Sequence, residues 1–367
     1  MSEDASTTGP PTAQLDKKKS IILGIIGLAF IVLIFWKVIP QIGSYADALN
    51  ALQSMGPMSM ILIVVSVLIY LVFYGFPFMA AAPGLKYWRS EQVNQAAFAI
   101  SNGVPGGGAV GLAVQYGMLT SFGITATAST AAITAVGLWS SFVTLGFPIL
   151  GVGALVLAGQ NGGSYVLTAL IGLGVLVAVI VIFVMVMRSE SLATKVGKIG
   201  NSVIKPFAGR IKALQGLDLV APVTKFRSSM YELLKRRWLA ITIAQVAVSV
   251  AQFLILYFAL RGVEGWDTAG TSILVAFAAF GISQLGMMIP ITPGGLGTVD
   301  AAMIALMTKF GVATGAATAA DLVWRAASFV PQILIGIIAL LLWYRKAGER
   351  FATTKVEPTP GSPIEST

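Results

Sequence analysis

Apolar residues run along this chain in long blocks, and the polar positions between and inside them reveal its plan. Six blocks are long enough to cross a bilayer as helices: Ile21 to Ile39, Pro57 to Ala82, Thr125 to Leu157, Tyr165 to Met187, Trp238 to Leu260 and Gly311 to Trp343. Two other apolar regions are interrupted. One, near 91–122, carries Asn94, Gln95 and Asn102, then Pro105, Gly106, Gly107 and Gly108. The other, near 269–310, carries Pro290, Thr292, Pro293, Gly294, Gly295 and Gly297, with Asp300 just beyond. Each half of these regions is too short to cross alone, so they predict re-entrant helical hairpins. The fold class is therefore all-α integral membrane, with about six full spans (six to eight) and two hairpins.

Composition supports that class and narrows the chemistry. Hydrophobic residues make up 56% of the 367 positions and charged ones 11%. Histidine and cysteine are absent, which excludes imidazole relays, thiol chemistry, disulfides and zinc sites built on those ligands. No cofactor or metal is expected. The net charge of +9 sits in the loops between spans, where it reads as topology rather than as a nucleic-acid surface.

Eleven of the 24 Lys and Arg fall between Arg188 and Arg237, and Lys17 to Lys19, Lys86 and Arg89 fall on the same side. By the positive-inside rule that side is cytoplasmic, and it holds both termini. The expected organisation is a disordered tail over 1–19, a first membrane half over 20–187, a basic segment over 188–237, a second half over 238–346 and a second tail over 352–367. In the basic segment Leu192, Val196, Ile199 and Val203 recur at helical spacing. So do Phe207, Ile211 and Leu214, and then Val223, Phe226, Met230 and Leu233. These predict amphipathic helices on the inner leaflet, meeting anionic lipid or simply marking the inside.

Sliding the chain by 188 positions lays Pro105, Gly106 and Gly107 on Pro293, Gly294 and Gly295, and Thr120, Phe122 and Gly123 on Thr308, Phe310 and Gly311. The halves are therefore read as repeats. The charge rule has the two units enter from opposite faces, which makes the repeat inverted, as in transporters that offer one site to either side in turn.

Free amides where a helix begins after each Pro-Gly-Gly suit an anion, with packing glycines in a kink as the plainer reading. Asp300 could take a cation. Asp321 and Arg325 lie four apart on the last span, on one helix face, and ionisable groups at that depth usually mark a pathway or close an ion pair. Arg325 can fork two hydrogen bonds to a phosphate. Gln115, Gln245, Gln252, Gln284 and Gln332 read as interhelical hydrogen-bonding groups.

The run Pro290, Thr292, Pro293, Gly294, Gly295, Leu296 and Gly297, with the acidic Asp300 and then Arg325, Phe329, Pro331 and Gly336, resembles the membrane domain of the lysylphosphatidylglycerol synthase/flippase family. In that family the earlier hairpin usually carries an Asn, a Pro, a Gly-Glu pair and an Arg. Here Asn102 and Pro105 match, while Ala109 to Gln115 hold neither Glu nor Arg. The acid after the second motif is usually Glu in the family, and Asp300 is one methylene shorter.

The resemblance implies movement of a charged-headgroup lipid between leaflets. With no aminoacyltransferase domain in the sequence, no synthase activity is expected. The expected function is a flippase or scramblase in a plasma membrane, bacterial by the resemblance, acting on a lipid with a phosphate-bearing headgroup. Its substrate-binding residues are Arg325, Asp300, Asp321, Thr292, Gly294, Gly295, Gly297, Asn102, Gly106 and Gly107. The phosphate would sit on the hairpin amides and Arg325, and Asp300 or Asp321 would take a headgroup amine or a coupling proton. No nucleic-acid partner is expected, and a homo-oligomer or a cell-envelope enzyme partner stays open. The alternatives are a secondary transporter of a small anion or cation-coupled solute, and a non-transporting subunit of an envelope enzyme.

Overall fold

The computed structural model describes residues 49–50, 53, 55–103, 107–159, 163–208, 218–267, 270–288 and 293–354. Among these residues every regular element is helical. The expected span Ile21 to Ile39, both tails, and Gly106 and Thr292 lie outside them. Five helical stretches are long and apolar enough to cross a membrane: Pro57–Ala81, Ala126–Leu157, Ala169–Arg188, Val220–Glu264 and Thr314–Arg345. The chain is an all-α integral membrane protein. The helix containing the third stretch shows why: Leu167, Leu170, Ile171, Val175 and Ile182 are all exposed, an apolar surface that suits lipid and not water.

The first stretch is two helices, α1 (Pro57–Tyr74) and α2 (Phe76–Ala81), joined at Gly75. Pro77 lacks an N–H, so the break strands backbone carbonyls in an apolar setting. The next helix, α3 (Tyr87–Gly103), satisfies them. Tyr87 Oη donates to Val72 O at 2.8 Å, Asn94 Nδ2 donates to Tyr74 O at 2.5 Å, and Ser90 Oγ donates to Gly75 O. The polar residues of this otherwise apolar region are thus held by the break they repair.

After α3 come α4 (Gly107–Ser121), which packs back on α3, then α5 (Ala126–Leu157) and α6 (Gly163–Arg188). Helix α7 (Glu190–Ala208) leads to α8 (Val220–Glu264), whose 45 residues span about 68 Å at 1.5 Å per residue, more than twice a hydrocarbon core. No glycine or proline interrupts Glu232 to Trp238. The basic segment and the following span are therefore one rod, where the sequence suggested a boundary at Arg237.

The third amphipathic stretch does not lie on a leaflet. Met230 is fully buried, and Phe226 and Leu233 pack with it in the core that holds Phe78, Met118 and Ile241. In α7, by contrast, Val196, Ile199 and Val203 are exposed, while Gly197 and Gly200 face Val220 and Leu219 at the start of α8. The middle stretch around Ile211 lies outside the described residues.

The second interrupted region forms α9 (Ile273–Ser283), a tight turn over Gln284–Met288, a second over Pro293–Gly295, and α10 (Thr298–Lys309), before the final α11 (Thr314–Thr354). Helix α9 crosses α5 at glycines: a Cβ on Gly281 would stand 2.7 Å from Phe147 O. The 188-residue offset is visible in local geometry. Helices α4 and α10 end at Ser121 and Lys309, and α5 and α11 begin at Ala126 and Thr314. Both ends are closed by the same Schellman pattern. Ile124 N–H bonds Leu119 O at 3.1 Å and Val312 N–H bonds Met307 O at 3.0 Å, with Gly123 and Gly311 at φ of 91° and 99°.

Candidate functional site

The two interrupted regions meet. The Pro293–Gly295 turn packs against α3, and a Cβ on Gly294 would stand 2.7 Å from Asn102 Oδ1 and from the Phe329 ring. Gly294, Gly295 and Gly297 take φ of 61°, 65° and 86°, which side chains resist, so the motif's glycines are needed for the turn itself.

Arg325 and Asp300 hold that turn. Arg325 is 2% exposed. Its Nε donates to Asp300 Oδ1 at 2.7 Å, its Nη2 stands 2.6 Å from the same oxygen, and its Nη1 donates to Gly294 O at 3.2 Å. Its guanidinium carbon lies 4.7 Å from the centroids of both the Trp324 and Phe329 rings. The other Asp300 oxygen, Oδ2, accepts from Gly297 N–H at 2.6 Å. The anion at the start of α10 is thus the protein's own carboxylate.

The helical spacing pointed to Asp321 as the partner of Arg325, but the ion pair runs between α10 and α11. Spacing along one helix reports a shared face and says nothing of what another helix brings to it. Asp321 stands beside this pair, feeling the charge of both Asp300 and Arg325; it is 1% exposed, and its Oδ1 has no hydrogen-bond partner among the described residues.

Of the other expected residues, Asn102 donates from Nδ2 to Phe98 O at 3.0 Å, and Gly107 is packed so that a Cβ would reach Ile100 O. Helix α4 has no acidic residue in its first turn.

Beside the meeting point lies a cavity of about 310 Å³ lined from α1 to α5 and from α8, α9 and the Gln284–Met288 turn. Its polar lining includes Asn94, Gln115, Gln245, Gln252 and Gln284 together with Tyr70 and Tyr74. Three of the five glutamines bridge helices: Gln245 Nε2 donates to Val136 O at 3.1 Å, Gln252 Nε2 to Tyr70 Oη at 3.1 Å, and Tyr70 Oη to Gln332 Oε1 at 3.1 Å. Gln245 and Gln252 also face the cavity, as do Gln115 and Gln284, a role the sequence reading did not assign them. Tyr70 and Tyr74 were missed; tyrosines one turn apart in mid-span were the available signal.

A sequence model of the family described as lysylphosphatidylglycerol synthase TM region matches residues 24–336. The chain belongs to this family. The match is to the transmembrane region and not to the aminoacyl-transferring part of such synthases. Among curated proteins, the UPF0104 membrane protein MJ1595 of Methanocaldococcus jannaschii is 24% identical over 216 residues, covering 57% of this chain. The chain thereby spans 60% of that relative's length. Within the lysylphosphatidylglycerol synthase TM region family, the motif residues Gly294, Asp300 and Arg325 form one bonded unit in this member.

Proposed function

We propose that the protein is a flippase or scramblase for a membrane lipid with a phosphate-bearing headgroup. The observation that carries this reading is a polar cavity inside an apolar bundle whose rim includes Leu112 and Met287, both exposed apolar side chains. Such a rim suits a headgroup inside with acyl chains left in lipid.

In this proposal the two interrupted regions are re-entrant hairpins of an inverted repeat, with both termini and the basic segment cytoplasmic. The headgroup phosphate sits at the start of α4, on the amides of Gly107 and Gly108, because Asp300 already fills the start of α10. Arg325 and Asp300 shape the Gly294 to Gly297 turn. Asp321, with one carboxylate oxygen unpartnered, is the residue left to carry a coupling proton.

The test is leaflet exchange of labelled phosphatidylglycerol, its lysyl ester and a polyprenyl-phosphate sugar in liposomes, for wild type and Arg325→Lys. Lysine keeps the charge and loses the fork that reaches Asp300 and Gly294 together. Exchange of at least one lipid, reduced in the folded variant, is expected. No exchange above empty liposomes for any of them, from folded and inserted protein, overturns the proposal in favour of a soluble solute or a partner subunit.

A further inference from the structure

From the cavity lining we infer that the part of the headgroup beyond the phosphate is an uncharged polyol, such as glycerol, inositol or a sugar, rather than an amine. This rests on the flippase reading above and names its substrate class.

No Asp, Glu, Lys or Arg lines the cavity among the described residues. Its polar atoms come from carboxamides and hydroxyls. Gln245, Gln252 and Asn94 each commit one N–H of the NH₂ group to the protein, at Val136 O, Tyr70 Oη and Tyr74 O. That leaves their carbonyl oxygens as acceptors and a second N–H on each as a neutral donor. Gln284 is the reverse case: it is 6% exposed, and its Nε2 has no acceptor among the described residues. A buried donor left unmade costs stability unless a ligand completes it.

Neutral acceptors and a free donor in one chamber match hydroxyl groups, each of which gives one hydrogen bond and takes others. An ammonium would find acceptors but no counter-charge, and it would leave Gln284 unsatisfied. A second phosphate would find neutral donors only and no cation. The volume lies at the small end of ligand sites, suited to a single ring or a glycerol unit. Leu112, on the cavity wall, is one turn along α4 from Gly108, so a phosphate at the start of that helix places the next group of the headgroup in the chamber.

The test uses the full chain in nanodiscs of neutral carrier lipid. Binding of phosphatidylinositol, phosphatidic acid, phosphatidylethanolamine and lysylphosphatidylglycerol with matched acyl chains is measured by native mass spectrometry. Phosphatidylinositol is expected to bind about tenfold more tightly than phosphatidic acid or either amine lipid. Gln284→Leu removes that preference without weakening phosphatidic acid, and Gln284→Glu turns it toward the lysyl lipid. Equal binding of phosphatidic acid, a preference for an amine lipid in wild type, or an unchanged preference in a folded Gln284→Leu protein overturns the inference. Competition by free inositol at equal concentration overturns the headgroup assignment in favour of a soluble polyol. Leaflet exchange separates the two claims: selective phosphatidylinositol binding with no exchange of any lipid removes the flippase and keeps the chamber. Exchange of an amine lipid with no polyol preference does the reverse.

Discussion

The two interrupted regions share a sequence offset and the same backbone at their far ends, yet their tips are finished differently. In the second, α10 begins with Asp300 bonded to Gly297 N–H and clamped by Arg325 from α11. In the first, α4 begins with Gly107, Gly108 and Ala109, with no acid in its first turn. One helix start is closed by an internal ion pair, and the other carries no anion of its own. A repeat can keep its scaffold and still divide labour: one tip made rigid, the other left able to receive a negative group.

The largest test of that contrast is Asp300→Ala, which takes from buried Arg325 the carboxylate it is bonded to and leaves Asp321 as its acidic neighbour. A loss of about 3–5 kcal/mol is expected, read as a lowered unfolding midpoint in detergent. Asp300→Asn combined with Arg325→Gln should recover part of it, since the two bonded charges are then removed together. A single mutant as stable as wild type would break the comparison at its root.

Next in size are the paired changes Gly123→Ala and Gly311→Ala. Both glycines have positive φ, and neither has a neighbour within 4 Å of an added Cβ. Each should lose about 1–2 kcal/mol from backbone strain alone, and the two losses should agree within error. Unequal losses would show that the shared cap is a likeness of form only.

A smaller effect comes from giving the first tip what the second has. Ala109 is exposed and occupies the third position of α4, as Asp300 does in α10. Ala109→Asp is expected to stabilise α4 by about 0.3–1 kcal/mol through the helix dipole, while weakening binding of phosphate-bearing lipids. Stabilisation with unchanged lipid binding would move the phosphate elsewhere.

The smallest effect lies outside the membrane, at Asp218. The hydrogen bond from Asn201 Nδ2 at 2.8 Å, with help from Val220 N–H, lowers its pKa below the usual 3.8. A group held low when folded adds stability above its unfolded pKa and loses it as pH falls through the lower folded value. The protection factors of the Leu219 and Val220 amides, with the intrinsic pH dependence of exchange divided out, should therefore hold at neutral pH and fall only below about pH 4. Asp218→Asn should remove the pH dependence.

Much of this architecture was legible in the order of residues. The apolar spans came from block length and the turn from Pro293 to Gly297, and the 188-residue offset read from the Pro-Gly-Gly and Phe-Gly matches reappears in the paired ends of α4 and α10. The closures were not legible. Arg325 found its acid on α10, because a helix face seen in sequence has no address for its tertiary neighbour. Asn94 marked an interruption in the sequence, but the carbonyl it holds came only with the α1–α2 break. The unbroken α8 was hidden by its change from basic to apolar composition, although its local helix propensity never falters there. The missing acid at the start of α4 was legible from Ala109 to Gln115, but not that Asp300 would close the start of α10.

Helix α8 carries one more consequence. Its basic portion is tied to the end of α6, where Arg227 reaches the carbonyls of Met187 and Arg188, and its later portion supplies Gln245 and Gln252 to the chamber wall. Because the rod is continuous, it acts as a ruler: the twenty-five residues from Arg227 to Gln252 set about 38 Å between that tie and the chamber amide, with no joint to absorb a change in either.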